Sequence, residues 1–316
     1  MNVIGNTQWE AVALAHGYLS ILDGASLETA AKVAYDNGYL TRKLALEKLG
    51  NIRMHGFESQ LQKREKTGSA ENPVTKLFPA FITEQRFVEI LDRLKGKRKD
   101  IQINDERNSG SFIDFIISEG DLRLPINVKV ASTRFNNALK LVNLNPDDTL
   151  PIPAYKAYGA VEAEPNTVYA ISMDFEIIKE LNKNLQGWFD EDERTVWNIL
   201  NRFAGAKVKK AEDAFVYGCV RKYWNQMKDI STNKPFYIIS ARKAIRILQK
   251  KPERTPGIGL RAWGTGANAE VNVHISISED TKTWDEIEER IIGRGLKDIV
   301  TAINRKKTEV TYDPEI

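Results

Sequence analysis

The hydrophobic positions of this chain change their period, from helical spacing near the start to strand-like runs beyond residue 110. Segment 8–62 has a helical pattern in which Ser26 and Thr41 are suited to cap two successive helices. A polar stretch rich in Gly, Ser, Asn and Pro at 62–75 predicts a loop or linker. The next apolar repeat predicts a helix over 79–99 that ends in the basic run KGKRK.

The two helices near the N-terminus have one of two arrangements. Ala34, Gly38 and Leu44 have the spacing of a helix-turn-helix, with a small residue at the packed position and glycine in the turn. Glu47 interrupts that match, because it falls where the motif needs an apolar residue. A plain helical hairpin is therefore the alternative interpretation.

The rest of the chain alternates between strands and helices. The pattern predicts strands at 167–172, 235–240 and 270–277, the last half-exposed because it alternates strictly. It predicts a Pro-rich turn at 150–153, and helices at 174–203 (divided near Gly187), 210–228, 241–249 and 285–304. We therefore expect an α/β fold with a central mixed β-sheet flanked by helices. The expected organisation is a helical region at 1–70 and an α/β domain at 71–316.

The segment SGSFIDFIISEGDLRLPINVKVAST at 109–133 predicts a β-hairpin with unusual polar residues in its strands. Asp114 interrupts the first apolar run, and Asn127 and Lys129 interrupt the second, although strands usually avoid Asp, Asn and Lys. A two-residue turn between Glu119 and Leu122 places Asp114 opposite Asn127, on the face shared by Lys129. A three-residue turn would shift the register by one residue and separate them.

Buried Asp and Lys side chains require partners, because an unpaired buried charge costs several kcal/mol. The simplest arrangement is a structural ion pair between Asp114 and Lys129 at the rim of the sheet. The other is a site in which a carboxylate, an amide oxygen and an ammonium converge.

These residues resemble the PD-(D/E)xK nucleases, a superfamily that includes many type II restriction endonucleases. The resemblance rests on Asp114, a short turn and then Asn127-Val128-Lys129, and it covers about 60 residues. It implies a mixed sheet with a helix before the hairpin, and that helix would supply a further acid. Glu84 is the best match for this acid and Glu89 is the second.

The sequence departs from the motif at two positions. Ile113 replaces the proline, which has little consequence, and Asn127 replaces the second acid. An amide oxygen is a possible Mg²⁺ ligand but brings no charge. The resemblance implies Mg²⁺ held by Asp114, Asn127, Glu84 and the Val128 carbonyl, with Lys129 assisting hydrolysis.

Candidate DNA contacts lie in two segments. Ser132, Thr133 and Arg134 follow the second strand of the hairpin and are suited to contact phosphates, although Ser132 or Thr133 could instead cap a helix. Segment 254–268 is rich in glycine and contains Arg261 and Asn268, residue types that read base edges. A flexible loop without a DNA contact is the alternative for this segment.

Composition narrows the choice of function class. The single cysteine, Cys219, excludes an internal disulfide and a cysteine-rich zinc site, which indicates a reducing compartment. No run of residues is apolar enough for a membrane span, and no signal peptide is recognisable, so we expect a cytoplasmic protein. The net charge of +3 does not by itself indicate nucleic-acid binding, although the cations are clustered.

Together these features predict a type II restriction enzyme, a Mg²⁺-dependent endonuclease for double-stranded DNA acting as a homodimer. Two alternatives are open: a non-catalytic DNA-binding protein, and a globular protein in which the Asp–Lys pair is only structural. The aromatic residues of 188–224 are expected in the core rather than stacked on bases.

Overall fold

The computed structural model describes residues 17, 20, 25–36, 39, 41–55, 73–107, 113–202, 209–230, 234–251, 254 and 272–305. Arg261 and Asn268 lie outside these residues, as does the rest of the glycine-rich segment that follows Arg254.

Two helices, α1 (Leu27–Asp36) and α2 (Arg42–His55), form a pair near the N-terminus. The Oγ atom of Ser26 accepts the Thr29 N–H at 3.2 Å, and Thr41 Oγ1 accepts the Leu44 N–H at 3.1 Å, so both predicted caps are confirmed. Small buried side chains, among them Ala30, Ala31 and Ala34, let the helices pack closely. Ala34, which the helix-turn-helix interpretation placed at the packed position, is fully buried, and Leu44 is 39% exposed.

A six-stranded mixed sheet follows the long helix α3 (Pro73–Lys97), as the sequence predicted for this fold class. Its strands are β1 (Gln102–Asp105), β2 (Phe115–Glu119), β3 (Leu122–Ala131), β5 (Val168–Met173), β6 (Phe236–Ser240) and β8 (Lys282–Thr283), in the spatial order β1-β2-β3-β5-β6-β8. Strands β3 and β5 are parallel, and the other neighbours are antiparallel. A second sheet pairs β4 (Thr149–Pro153) with β7 (Asn272–Ser276).

The remaining helices cover the sheets or connect the strands. They are α4 (Ala138–Val142), α5 (Ala154–Ala163), α6 (Ile177–Trp188), α7 (Glu191–Arg202), α8 (Lys209–Lys222), α9 (Trp224–Met227), α10 (Ala241–Lys250), α11 (Ile277–Asp280), α12 (Trp284–Arg294) and α13 (Leu296–Asn304), with a 3₁₀ turn at Lys228–Ile230.

The two faces of the large sheet bury separate apolar clusters, because alternate residues of each strand point to opposite faces. On β3, Leu124, Ile126 and Val128 pack with the C-terminal half of α3 and with α12 and α13. On the other face, β5 and β6 pack with α5, α10 and the small sheet. A third cluster joins the N-terminal half of α3 to α6 and α8. It takes up aromatic residues including Trp197 and Tyr223, so their assignment to the core is confirmed.

Three local predictions were wrong. Residues 150–153 lie in β4 rather than in a turn, since Pro151 and Pro153 are tolerated on a strand that pairs only with β7. Strand β7 is buried along both faces rather than half-exposed, and its polar residue His274 bonds the Arg254 carbonyl at 2.9 Å. The closing helix is two helices, because Gly295 adopts a positive φ of 79° between α12 and α13.

Candidate functional site

The hairpin of β2 and β3 has the even register on which the predicted site depends. Phe115 lies opposite Ile126, and Glu119 lies opposite Leu122, so the turn contains only Gly120 and Asp121. Gly120 has φ 58°, a conformation that glycine adopts easily at the first central position of a two-residue hairpin. This tight turn fixes which β3 residues face the start of β2.

Asp114 stands immediately before β2 rather than inside it, which corrects the prediction. Its N–H donates to the Ile126 carbonyl at 2.9 Å, and its carbonyl accepts the Glu106 N–H at 2.8 Å. Its side-chain Oδ2 accepts the Val128 N–H at 2.6 Å, so the carboxylate takes the place of the next backbone acceptor in the ladder. The bond fixes the carboxylate at the end of the hairpin, and among the described residues only its Oδ2 accepts a hydrogen bond.

Strand β3 supplies the other residues of the motif. In a β-strand the N–H and C=O of one residue point to the same side. The Val128 carbonyl therefore points toward Asp114, as its N–H does, and away from β5. Asn127 and Lys129 are two residues apart and share one face of β3, as predicted. Asn127 is buried and Lys129 is half-buried.

Glu84 joins the site from α3. Its side chain is half-buried, between the part of α3 that packs on the sheet and the part that packs against α6 and α8. Burial, reinforced by the nearby Asp114 charge and opposed by Arg107 and Lys129, raises the pKa of Glu84 to about 8. The Glu84 carboxyl group therefore holds a proton at neutral pH.

Asp114 and Lys129 are also perturbed by the same surroundings. Burial raises the pKa of Asp114, although Lys129 and the Val128 N–H act in the opposite direction. Burial lowers the pKa of Lys129, against the influence of Asp114 and Glu84. Asp114 and Lys129, both among the described residues, form no direct ion pair within 4.0 Å. The simple structural ion pair is thus not the arrangement found, and several perturbed groups in one place are typical of functional sites.

Arg107 is a fifth polar member that the sequence analysis missed. Its Nε and Nη2 atoms bind the Asp105 carboxylate, and its guanidinium lies over the rings of Phe115, at 5.1 Å, and Tyr217, at 5.9 Å. Its charge acts on both Glu84 and Asp114. The available signal was the pair Asp105 and Arg107 just after the alternating residues Ile101 and Ile103, but only the tertiary structure places Tyr217 beside it.

The donor set suits a cation that needs few protein ligands. Within the described residues no three His, Cys, Asp or Glu side chains form a group able to hold a metal. The oxygen atoms that these residues carry are the carboxyl groups of Glu84 and Asp114, the Val128 carbonyl and the Asn127 amide. Mg²⁺ is typically bound through one or two carboxylates, with water and substrate phosphate completing its shell.

The candidate DNA contacts beside the hairpin are only partly available in this structure. Ser132 is half-buried, and Thr133 and Arg134 are exposed. Arg134 is engaged by Asp147 and lies over Phe175 at 4.8 Å. The alternative that Ser132 or Thr133 caps the following helix is wrong for α4, whose N-cap is Asn137.

Several of the clustered cations are already neutralised. Lys97 binds Glu288, Arg98 binds Asp100 and Glu119, and Lys222 binds Asp190 and Glu193. Lys251 lies near Glu279 and Asp280. Charge clustering in the sequence therefore overstated the positive surface of these segments.

Two broader findings complete the description. No helix of the described residues is long and apolar enough to cross a membrane. Comparison of the chain with protein-family models, with curated proteins and with solved structures returned no match.

Proposed function

We propose that this protein is a Mg²⁺-dependent endonuclease that hydrolyses phosphodiester bonds of double-stranded DNA, in the manner of a type II restriction enzyme. The observation that carries the proposal is the meeting of Glu84, Asp114 and Lys129. They come from a helix, the start of a strand and the next strand, the elements that the resemblance to the PD-(D/E)xK nucleases assigns to them. An acid-and-lysine site of this kind has no evident purpose in packing, since each charge is costly to bury.

The site residues fit a divalent cation because the two carboxyl groups are close enough for Asp114 to raise the pKa of Glu84. A cation placed between them would relieve that repulsion and displace the Glu84 proton. Asp114 Oδ1, Glu84 and the Val128 carbonyl would be its main protein ligands, with the Asn127 amide as a neutral ligand. Bound Mg²⁺ would polarise a phosphoryl oxygen and lower the pKa of a water ligand.

Lys129 has the features of a residue that assists hydrolysis. It is half-buried on β3, and its lowered pKa brings its proton transfer closer to neutral pH than that of an exposed lysine. Its ammonium group would stabilise the charge that develops on the phosphate and orient the attacking water. A homodimer would present two such sites to the two DNA strands.

The principal experiment incubates long unmethylated DNA with the protein and Mg²⁺. We expect cleavage by the wild type, and losses of at least about 100-fold in Asp114→Ala and Lys129→Met, since each removes a group acting on the reacting phosphate. Glu84→Gln should also lose activity, because it removes a proposed metal ligand, and Glu89→Gln is its matched control. Glu89 lies on the same helix but is exposed and accepts a hydrogen bond from Trp224 Nε1 at 2.8 Å. Intact DNA with the folded wild type, in either Mg²⁺ or Mn²⁺, would refute the proposed activity.

A non-catalytic DNA-binding protein is the second candidate, and Asn127 is the observation that favours it. An amide at this position removes one negative charge from the metal site. This candidate predicts a gel shift that weakens with salt, no cleavage in any divalent metal, and no effect of Asp114→Ala on DNA affinity.

A further inference from the structure

Arg107 has a setting that differs from that of an ordinary surface arginine. Its side chain is only 8% exposed, while its ion-pair partner Asp105 is 47% exposed. Burial alone would raise the pKa of Asp105, but hydrogen bonds from the Arg107 side chain and backbone bring it below its usual range. The pair therefore stays ionised, and the guanidinium is the more deeply buried partner.

Asp105 holds the edge of the Arg107 guanidinium that carries Nε and Nη2. The remaining nitrogen is Nη1. Asp105 Oδ1 and Oδ2 lie 2.9 Å and 3.1 Å from Nε, and Oδ2 lies 2.5 Å from Nη2. The rings of Phe115 and Tyr217 hold the plane of the group. In the described part of the chain, Nη1 has no hydrogen-bond acceptor.

Arg107 lies close to the two acidic residues of the site, Glu84 and Asp114. Phe115, on which it stacks, directly follows Asp114, and Glu106 donates its N–H to the Asp114 carbonyl. The guanidinium is thus a fixed cation at the entrance of β2, beside the carboxyl groups of Glu84 and Asp114. A buried arginine does not help two carboxyl groups to bind a metal ion, because its positive charge repels the ion. A phosphate group, by contrast, is a ligand that a planar, preorganised guanidinium recognises well.

We propose that Arg107 binds a phosphate of the nucleic-acid backbone through Nη1, while Asp105, Phe115 and Tyr217 hold its guanidinium in place. This inference rests on the proposed function and adds to it a substrate contact outside the acid–lysine motif. Because the arginine is already ordered, its side chain loses little conformational freedom when the phosphate binds.

The test measures binding of a short labelled DNA duplex to wild type, Arg107→Gln and Arg107→Lys, in EDTA so that no cleavage intervenes, at several salt concentrations. We expect Arg107→Gln to bind DNA roughly 10-fold more weakly. The slope of log K against log salt concentration should fall in magnitude by about one, because one fewer counterion is released. Arg107→Lys should recover the salt dependence but only part of the affinity, because an ammonium group lacks the planar fork. The matched control is Arg123→Gln, which removes an exposed arginine paired with Glu164 at 2.8 Å near the hairpin turn.

The outcomes separate this inference from the proposed function. If the wild type cleaves DNA and folded Arg107→Gln has the affinity and salt dependence of Arg123→Gln, the role of Arg107 is refuted and the nuclease is not. If the wild type binds DNA without cleaving it, the nuclease fails, and the salt dependence of Arg107→Gln still decides the phosphate contact. If the wild type binds no DNA, both fail. Thermal unfolding of each variant excludes a loss caused by misfolding.

Discussion

Glu84 provides a test of the site that requires no substrate. Its pKa rises from 4.5 to about 8 on folding, so the folded protein keeps a proton that the unfolded chain releases. Between these two pH values the folded state binds more protons than the unfolded state, and the free energy of unfolding falls as pH rises. The contribution of protonated Glu84 to the free energy of unfolding is fully present below about pH 4.5 and is lost as the pH rises through about 8.

The size of the effect follows from the shift. Each unit of pKa displacement corresponds to about 1.4 kcal/mol, so ionising Glu84 destabilises the protein by up to about 5 kcal/mol. Glutamine cannot ionise, and Glu84→Gln should therefore match the wild type near about pH 4.5 and exceed its stability by several kcal/mol near about pH 9. Burial of Asp114 acts in the same direction and is present in both proteins, so Asp114 enters the difference only through its coupling to Glu84.

Urea unfolding of the two proteins across this pH range measures the difference directly. Asp92→Asn is the control, since it removes an exposed carboxylate from the same helix. Parallel pH profiles for wild type and Glu84→Gln would refute the argument, because they would mean that Glu84 titrates normally. Addition of Mg²⁺ gives a second comparison: at alkaline pH the ion should stabilise the wild type more than Glu84→Gln.

Three further predictions concern the framework of the fold. Arg254→Leu removes the buried ion-pair partner of Asp280 and leaves it only the more distant Lys251, and should lower the free energy of unfolding by about 3–5 kcal/mol, measured by chemical denaturation; a loss below about 1 kcal/mol would contradict it. Gly295→Ala places a Cβ atom 3.1 Å from Glu119 Oε2 at a φ of 79°, and should cost about 1–2 kcal/mol in the same assay, whereas an unchanged stability would show that the α12–α13 junction adjusts freely. Thr283→Ala removes the hydroxyl that caps α12 and should lower stability by about 1 kcal/mol, with Thr283→Ser retaining it.

The sequence predicted the fold class because its main signals are local. Alternating apolar residues and the glycine in the hairpin turn specify β2, β3 and their register, and helical spacing specifies α3. It also singled out Asp114, Asn127 and Lys129, since polar residues in apolar runs are detectable without coordinates, whereas Glu84 was named only through the resemblance to the PD-(D/E)xK nucleases. It missed the strand β4, and it predicted β7 as a strand but wrongly as half-exposed, because these two strands pair across more than a hundred residues of the chain.

Tertiary structure alone decided how the candidate site is arranged and how its groups titrate. Two-residue alternation indicates that Asn127 and Lys129 share a face, but not that Asp114 ends the ladder by binding the Val128 N–H. Nor does it place Arg107 between Phe115 and Tyr217, because that contact joins the end of β1 to the distant helix α8. The perturbed pKa of Glu84 depends on burial between packed elements, which the order of residues along the chain does not specify. The sequence pointed to the candidate side chains, and packing determined their neighbours, the direction of their pKa shifts and the cation beside them.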